Sequence, residues 1–214
     1  MISIEDIEYI ENNERDIEVP SLIGLVQQYR PKTFLDVGAH YSWYTYANPI
    51  KMIVEQYDGL DIIEDPKTAE VIDKYMVTNV LDFISSIKYD FVSCISVIEH
   101  SGISTYKRED YKLERIKVFE KLIQLSRKYL YITFPYGAPG VVENQYANIT
   151  KEDLSEFNNL AIKYGFSFEP YFYFNEFPQG GMKWNIISSL EASGIPLDST
   201  KGVQCLCTLF CKAY

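Results

Sequence analysis

The sequence has little positive charge, only two histidines, and no apolar run long enough to cross a bilayer. Lys and Arg number 20 against 30 Asp and Glu, a formal net charge of −10. Phosphate backbones are bound chiefly through clustered basic side chains, and the best basic runs here, Arg127-Lys128 and Tyr106-Lys107-Arg108, read as solvated helix ends. No nucleic-acid partner is expected. The longest apolar stretches are strand-sized, and residues 1–8 are acidic where a secretory leader would be basic, so a cytoplasmic protein without a membrane partner is expected. Asn148-Ile149-Thr150 matches a glycosylation sequon, which without a leader reads as chance. Cysteine is scarce as well. Cys205, Cys207 and Cys211 share one strand parity, but no histidine lies near them, and structural zinc normally takes two separated pairs. They and Cys94 read as reduced core thiols, and no metal site is expected.

What is present is a series of apolar runs ending in polar residues. Thr33-Phe34-Leu35-Asp36-Val37-Gly38-Ala39-His40 is a buried-strand pattern that ends in an acid and then a glycine turn. Ligands of open α/β sheets sit beyond the carboxyl ends of such strands. Gly38 permits close approach of the main chain, while Asp36 offers acceptors or orders the loop. Tyr57-Asp58-Gly59-Leu60-Asp61-Ile62 reads as the next strand, its acid about 25 residues after Asp36, near the interval at which Rossmann-type units place a carboxylate on a ribose diol. Asp65-Pro66 beyond it reads as a helix cap with proline at the first helical position. Two more strand ends follow, at Asn79-Val80 and at Ser96-Val97-Ile98-Glu99-His100.

On these residues the chain resembles the class I S-adenosylmethionine-dependent methyltransferases. The landmarks are Asp36-Val37-Gly38, Asp61, Asn79, and a fourth strand that opens on Tyr89-Asp90 and closes on Glu99-His100. The resemblance covers residues 33 to about 136 motif by motif, and the remainder only as an order of elements. It implies S-adenosyl-L-methionine as cofactor, held by Asp36, Gly38, Ala39, His40, Asp61, Ile62, Asn79, Val80 and Ser96. Two departures stand out. The first loop carries His40, Tyr41 and Ser42 where further glycines are usual, and Asn79 replaces the usual Asp against the adenine amino group, although its oxygen can still accept that bond. A Glu-x-x-Glu-His metal run of some members has Ser96 at its first position, which leaves too few ligands.

The 214 residues, 47% of them hydrophobic, fit one methyltransferase-like domain over 1–214. The expected fold is α/β: a Rossmann-like, doubly wound, seven-stranded, mostly parallel sheet with an antiparallel last strand and helices on both faces. Helices are expected within the N-terminal segment 1–30, over 21–29, in 43–55 where Pro49 makes the helix short or kinked, and over 66–74, 108–128 and 150–164. Residues 166–174 and 203–212 should close the sheet as an antiparallel pair. Residues 175–202 mix glycines, aromatics and polar groups, as a loop over an acceptor would, and could equally be a structural or dimer-contact insertion, so a homodimer is left open.

Methyl transfer needs an acceptor held in line with an already electrophilic methyl, and a hydroxyl acceptor also needs a base. An imidazole titrates near neutrality, and His100, at the end of the fourth strand, is the candidate; capping the next turn is its plain alternative. Tyr136, after the fifth strand, is the candidate for orienting an acceptor, or else an aromatic loop anchor. Tyr41, Trp43 and Tyr44 could wall the pocket or belong to the core. The absence of a long insertion of another domain favours a small-molecule acceptor, for which a sugar-like hydroxyl is the working reading. A dinucleotide-dependent oxidoreductase would want G-x-G-x-x-G, of which only Gly38 is present; a non-catalytic cofactor-binding or scaffold protein on the same fold is the other alternative.

Overall fold

The structure, a computed structural model, describes residues 14–103, 111–142, 146–176, 183–196 and 203–214. The expectations for residues 1–8, for Tyr106-Lys107-Arg108 and for Phe177-Pro178-Gln179-Gly180-Gly181-Met182 lie outside the described residues.

Strands β1 (Thr33–Val37), β2 (Gln56–Asp61), β3 (Lys74–Val77), β4 (Tyr89–Ile95) and β5 (Ser126–Pro135) run parallel. With β8 (Glu169–Glu176), β9 (Lys183–Ile187) and β10 (Cys205–Lys212) they form one sheet of order β3-β2-β1-β4-β5-β10-β8-β9. β10 pairs antiparallel with both β5 and β8, and β9 antiparallel with β8, so β8 points the same way as β1 to β5. The sheet thus has eight strands instead of the expected seven, with two reversed. The added one is β9, inside residues 175–202, where Lys183–Ile187 alternates too briefly to stand out from its glycine-rich surroundings. A separate two-stranded ribbon, β6 (Val141–Val142) with β7 (Tyr146–Ala147), follows β5.

Two apolar layers sandwich the sheet because successive strand residues point to opposite faces. Helix α4 (Tyr111–Leu125) presents Val118, Phe119, Leu122 and Ile123, and α5 (Lys151–Lys163) presents Leu154, Phe157 and Ala161, to Leu35, Val92, Ile132 and Phe134. On the other face, Leu22 and Val26 of α1 (Arg15–Tyr29) and Ala47 and Ile50 of α2 (Ala47–Lys51) cover Phe34, Phe91 and Tyr131. α1 begins before the expected 21 and carries Pro20 as its sixth residue, where the ring gives up the bond its N–H would have donated to the Asp16 carbonyl. α2 is short, as Pro49 suggested, and α5 starts on a reciprocal capping box between Thr150 and Asp153. Helix α3 (Pro66–Val71) is capped by Asp65. The four cysteines are free and buried, with Cys205, Cys207 and Cys211 on one face of β10.

Residues 183–196 return to the carboxyl edge of the parallel strands through α6 (Ser189–Ser193): the Ala138 N–H donates to the Ile195 carbonyl (2.9 Å). Gly38 is needed for two reasons. Its φ is +84°, and a Cβ there would lie 2.1 Å from Cγ2 of Val97. Gly38→Ala is expected to lower the unfolding free energy by about 2–4 kcal/mol, combining left-handed strain with overpacking, as read by urea denaturation.

Candidate functional site

The parallel strands deliver Gly38, Asp61 and Ser96 to one edge of the sheet, on adjacent strands β1, β2 and β4. Under that edge lies Asp36, wholly buried. The Ser93 hydroxyl (2.7 Å) and the Tyr46 hydroxyl (3.3 Å) donate to its Oδ1, and the Tyr57 hydroxyl (3.0 Å) to its Oδ2. Burial pushes its pKa up to about 6 against those three donors. Of the two roles read from the sequence, this geometry is that of ordering the loop: Asp36 sits beneath the loop that leaves β1, engaged by its own three donors.

The loop above is fastened at two acids. The Gly38 and Ala39 N–H groups both donate to the Leu60 carbonyl (2.8 and 3.2 Å), and the His40 N–H donates to Asp61 Oδ2 (3.0 Å). Asp61 Oδ1 accepts from the Ile63 N–H (3.0 Å). Each oxygen keeps a second acceptor direction, so the carboxylate at the tip of β2 is oriented without being exhausted. Asp65 does more than cap α3: it accepts from the backbone of Lys67 and Thr68 and from the Tyr41 N–H (2.8 Å), which holds Tyr41 at φ +66°. Burial would raise the Asp65 carboxyl, but the Tyr41 and Thr68 donors outweigh it and hold it below the usual range. His40 packs its ring against Tyr41, its Nδ1 buried without a hydrogen-bond partner and 3.8 Å from Asp65 Oδ2. Ile62, 69% exposed, presents an apolar side chain next to Asp61. Val80 is half-buried against the core, and Asn79 is exposed, its Oδ1 accepting from the Leu81 N–H (2.9 Å). Tyr41 and Tyr44 are exposed, and Trp43 lies beneath the Lys67 ammonium (4.3 Å).

Ser96, left-handed at φ +49°, turns the chain off β4. Its hydroxyl donates to Oε1 of Glu18 (2.7 Å), which also accepts from the Thr133 hydroxyl, while Arg15 Nη1 donates to Oε2 (2.7 Å). Ser96 is thereby engaged with α1. Burial pushes the Glu18 carboxyl up, and Arg15 with the two hydroxyls opposes it. In the turn Ile98–His100, Glu99 is buried with Oε2 unpartnered, and its pKa is pushed up to about 8, mainly by burial, with Glu18 adding to it. His100 is half-exposed, Nε2 3.8 Å from Glu99 Oε1, its ring edge-on to Tyr146. Tyr136 requires a correction. It is 2% exposed, its ring centred 4.7 Å from that of Phe172, and burial pushes its hydroxyl up to about 12. It anchors the loop in the core and does not present itself to an acceptor.

Several residues of the site were not singled out in the sequence. Tyr46, Tyr57 and Ser93 carry no motif. Glu18 did leave a signal: with Leu22 and Val26 it lies on one helical stripe, a charge on an apolar face, but it precedes the expected start of the helix.

No protein-family model and no curated protein matches the sequence. Solved structures do. Magnesium protoporphyrin IX methyltransferase from Synechocystis PCC 6803 with bound SAH is similar at a TM-score of 0.59 and 14% identity, covering 100% of this chain and 89% of that one. The N-methyltransferase NodS from Bradyrhizobium japonicum WM9 in complex with S-adenosyl-L-homocysteine is similar at 0.59 and 10% identity, covering 94% and 88%. A 1,6-didemethyltoxoflavin-N1-methyltransferase from Burkholderia thailandensis gives a TM-score of 0.56 at 13% identity, covering 92% and 79%. The fold is that of the class I methyltransferases.

Glu99 makes stability pH-dependent with a definite sign. Its carboxyl is raised in the fold, so the folded state binds the extra proton and loses stability as pH rises from about 4.5 to about 8; Asp36 acts in the same sense but only up to about 6. Between pH 6 and 8 the unfolding free energy is therefore expected to fall, and Glu99→Gln to flatten that slope, as measured by urea titrations at both ends of the window.

Proposed function

We propose that this chain is a single-domain, S-adenosyl-L-methionine-dependent methyltransferase acting on a small molecule, an O-methyltransferase of a sugar-like or other metabolite hydroxyl. The observation that carries the reading is Asp61: a carboxylate at the tip of β2, fixed by the His40 and Ile63 N–H groups with acceptor capacity to spare, beside a glycine turn and an exposed isoleucine. Those residues fit an adenosyl group. The spare acceptor directions of Asp61 suit a ribose diol, Ile62 and Val80 supply apolar surface for an adenine ring, and Asn79 keeps a lone pair for its amino group. Gly38, Ala39 and His40 line the approach of the methionine part, and the buried, unpartnered Nδ1 of His40 is a further polar atom for it. When bound, the cofactor supplies an electrophilic methyl, so the protein need only orient the acceptor and manage one proton.

His100 is assigned as the proton acceptor for the attacking hydroxyl. It is half-exposed at the end of β4, on the same edge as Asp61, its Nε2 3.8 Å from Glu99 Oε1. The formal charge of −10 supports a neutral or cationic acceptor over a nucleic acid. No described helix is long and apolar enough to cross a membrane.

Calorimetry with S-adenosyl-L-homocysteine is expected to give saturable binding, weakened about tenfold or more in Asp61→Ala. Saturable NAD binding with no response to S-adenosyl-L-homocysteine would overturn the assignment. For the proton acceptor, His100→Ala is expected to keep cofactor affinity while turnover of a hydroxyl acceptor drops about 10²–10⁴-fold; full turnover in that variant removes His100 from the chemistry.

A further inference from the structure

The residues 183–196 bring β9 alongside β8, and one cross-strand pair there is chemically incomplete. Asn175, 1% exposed, has neither its amide oxygen nor its amide nitrogen in a hydrogen bond. Directly opposite it in the β8–β9 register stands Trp184, whose indole Nε1 is also buried and unpartnered. Residues opposed in this way rise from one face of a sheet within reach of each other. Three buried polar atoms on two opposed positions are costly, at about 1–3 kcal/mol per unsatisfied group, and such a cost is tolerable where a ligand relieves it.

The pair also lies in the right part of the fold. β8 points the same way as the five parallel strands, and Asn175 is its penultimate residue, so the pair belongs to the edge that carries Gly38, Asp61 and Ser96. Thr133 aligns with Thr208 and then with Tyr171, and Asn175 lies four positions beyond Tyr171, hence on the face where Thr133 meets Glu18. The Asn175 N–H donates to the Gln204 carbonyl (2.9 Å), and the next carbonyl, of Cys205, accepts from the Tyr136 N–H (2.9 Å), which ties the pair to the loop after β5.

We propose that Asn175 and Trp184 form an acceptor subsite for a neutral, polyhydroxylated ring, a sugar-like group whose hydroxyls complete the amide and the indole. The chemistry selects that class. An amide supplies both acceptor and donors and the indole a donor, and a hydroxyl matches both at once. Neither residue carries charge, whereas a phosphate or carboxylate would call for Arg or Lys. The indole ring offers a flat apolar surface for the C–H face of a sugar. As an acceptor site the pair rests on the methyltransferase reading above; as a sugar site it stands alone.

The chain has two tryptophans, so Trp43→Phe leaves Trp184 as sole reporter. In that background, without cofactor, methyl glucoside and N-acetylglucosamine are titrated against tryptophan emission. A saturable change with at least one is expected, weakened about fivefold or more by Asn175→Leu, while the melting temperature of that variant rises because an unpaired buried amide has become apolar. No saturable change with either sugar, or one untouched by Asn175→Leu, overturns the subsite. Should Asn175→Leu unfold, Trp184→Phe, which keeps a ring and removes only the donor, is compared by calorimetry: a similar loss supports the subsite, and unchanged affinity overturns it. S-adenosyl-L-homocysteine binding, measured separately, distinguishes the two failures, since sugar binding without it keeps the subsite and removes the methyltransferase reading.

Discussion

One buried carboxylate organises the carboxyl edge of the parallel strands. Asp36 on β1 gathers hydroxyls from β2 through Tyr57, from β4 through Ser93, and from the approach to α2 through Tyr46. Three adjacent strands and the loop that leaves them are thus referenced to one side chain. Taking a carboxylate fully out of water is expensive, and three donors are what make it tolerable. Because Gly38 and Ala39 share the Leu60 carbonyl and His40 grips Asp61, the support below is passed to the loop above without slack.

A second acid extends the same construction across the sheet. Glu18 reaches from α1 to Ser96 and Thr133, and the Tyr131 hydroxyl donates to its backbone carbonyl (3.2 Å), so the N-terminal helix is fixed to the tips of β4 and β5. Glu99, buried nearby, shares the electrostatic strain of Glu18. This end of the sheet therefore concentrates three carboxyls, Glu18, Asp36 and Glu99, whose burial disfavours the charged form. Such a setting suits a site that must take up and release a proton, and it costs stability at alkaline pH.

The sequence made the parallel half of the sheet legible because its mainly apolar strand segments end in polar residues at regular intervals. Asp36, Asp61 and the Asp65-Pro66 cap all sit where their spacing put them. The rest was hidden for physical reasons. The hydroxyls around Asp36 come from ordinary strand and loop positions, and only tertiary packing brings them together. Glu18 breaks an apolar stripe that begins earlier than the helix was expected to. Tyr136 follows β5 at the carboxyl edge of the parallel strands, yet Phe172, far along the chain, draws its ring into the core. β9 is short and lies among glycines, so its pairing with β8 could not be read from alternation alone.

The buried thiols carry a consequence of their own. Burial raises Cys205 to about 12 and pushes Cys94, Cys207 and Cys211 upward as well, so almost no thiolate exists in the folded chain at neutral pH. Peroxides and alkylating reagents reach little thiolate at Cys205, Cys207 and Cys211 until β10 leaves its place between β5 and β8. The rate at which these thiols become modifiable is therefore a clock for the parting of the sheet's middle, and oxidation of the cysteines trails unfolding instead of causing it.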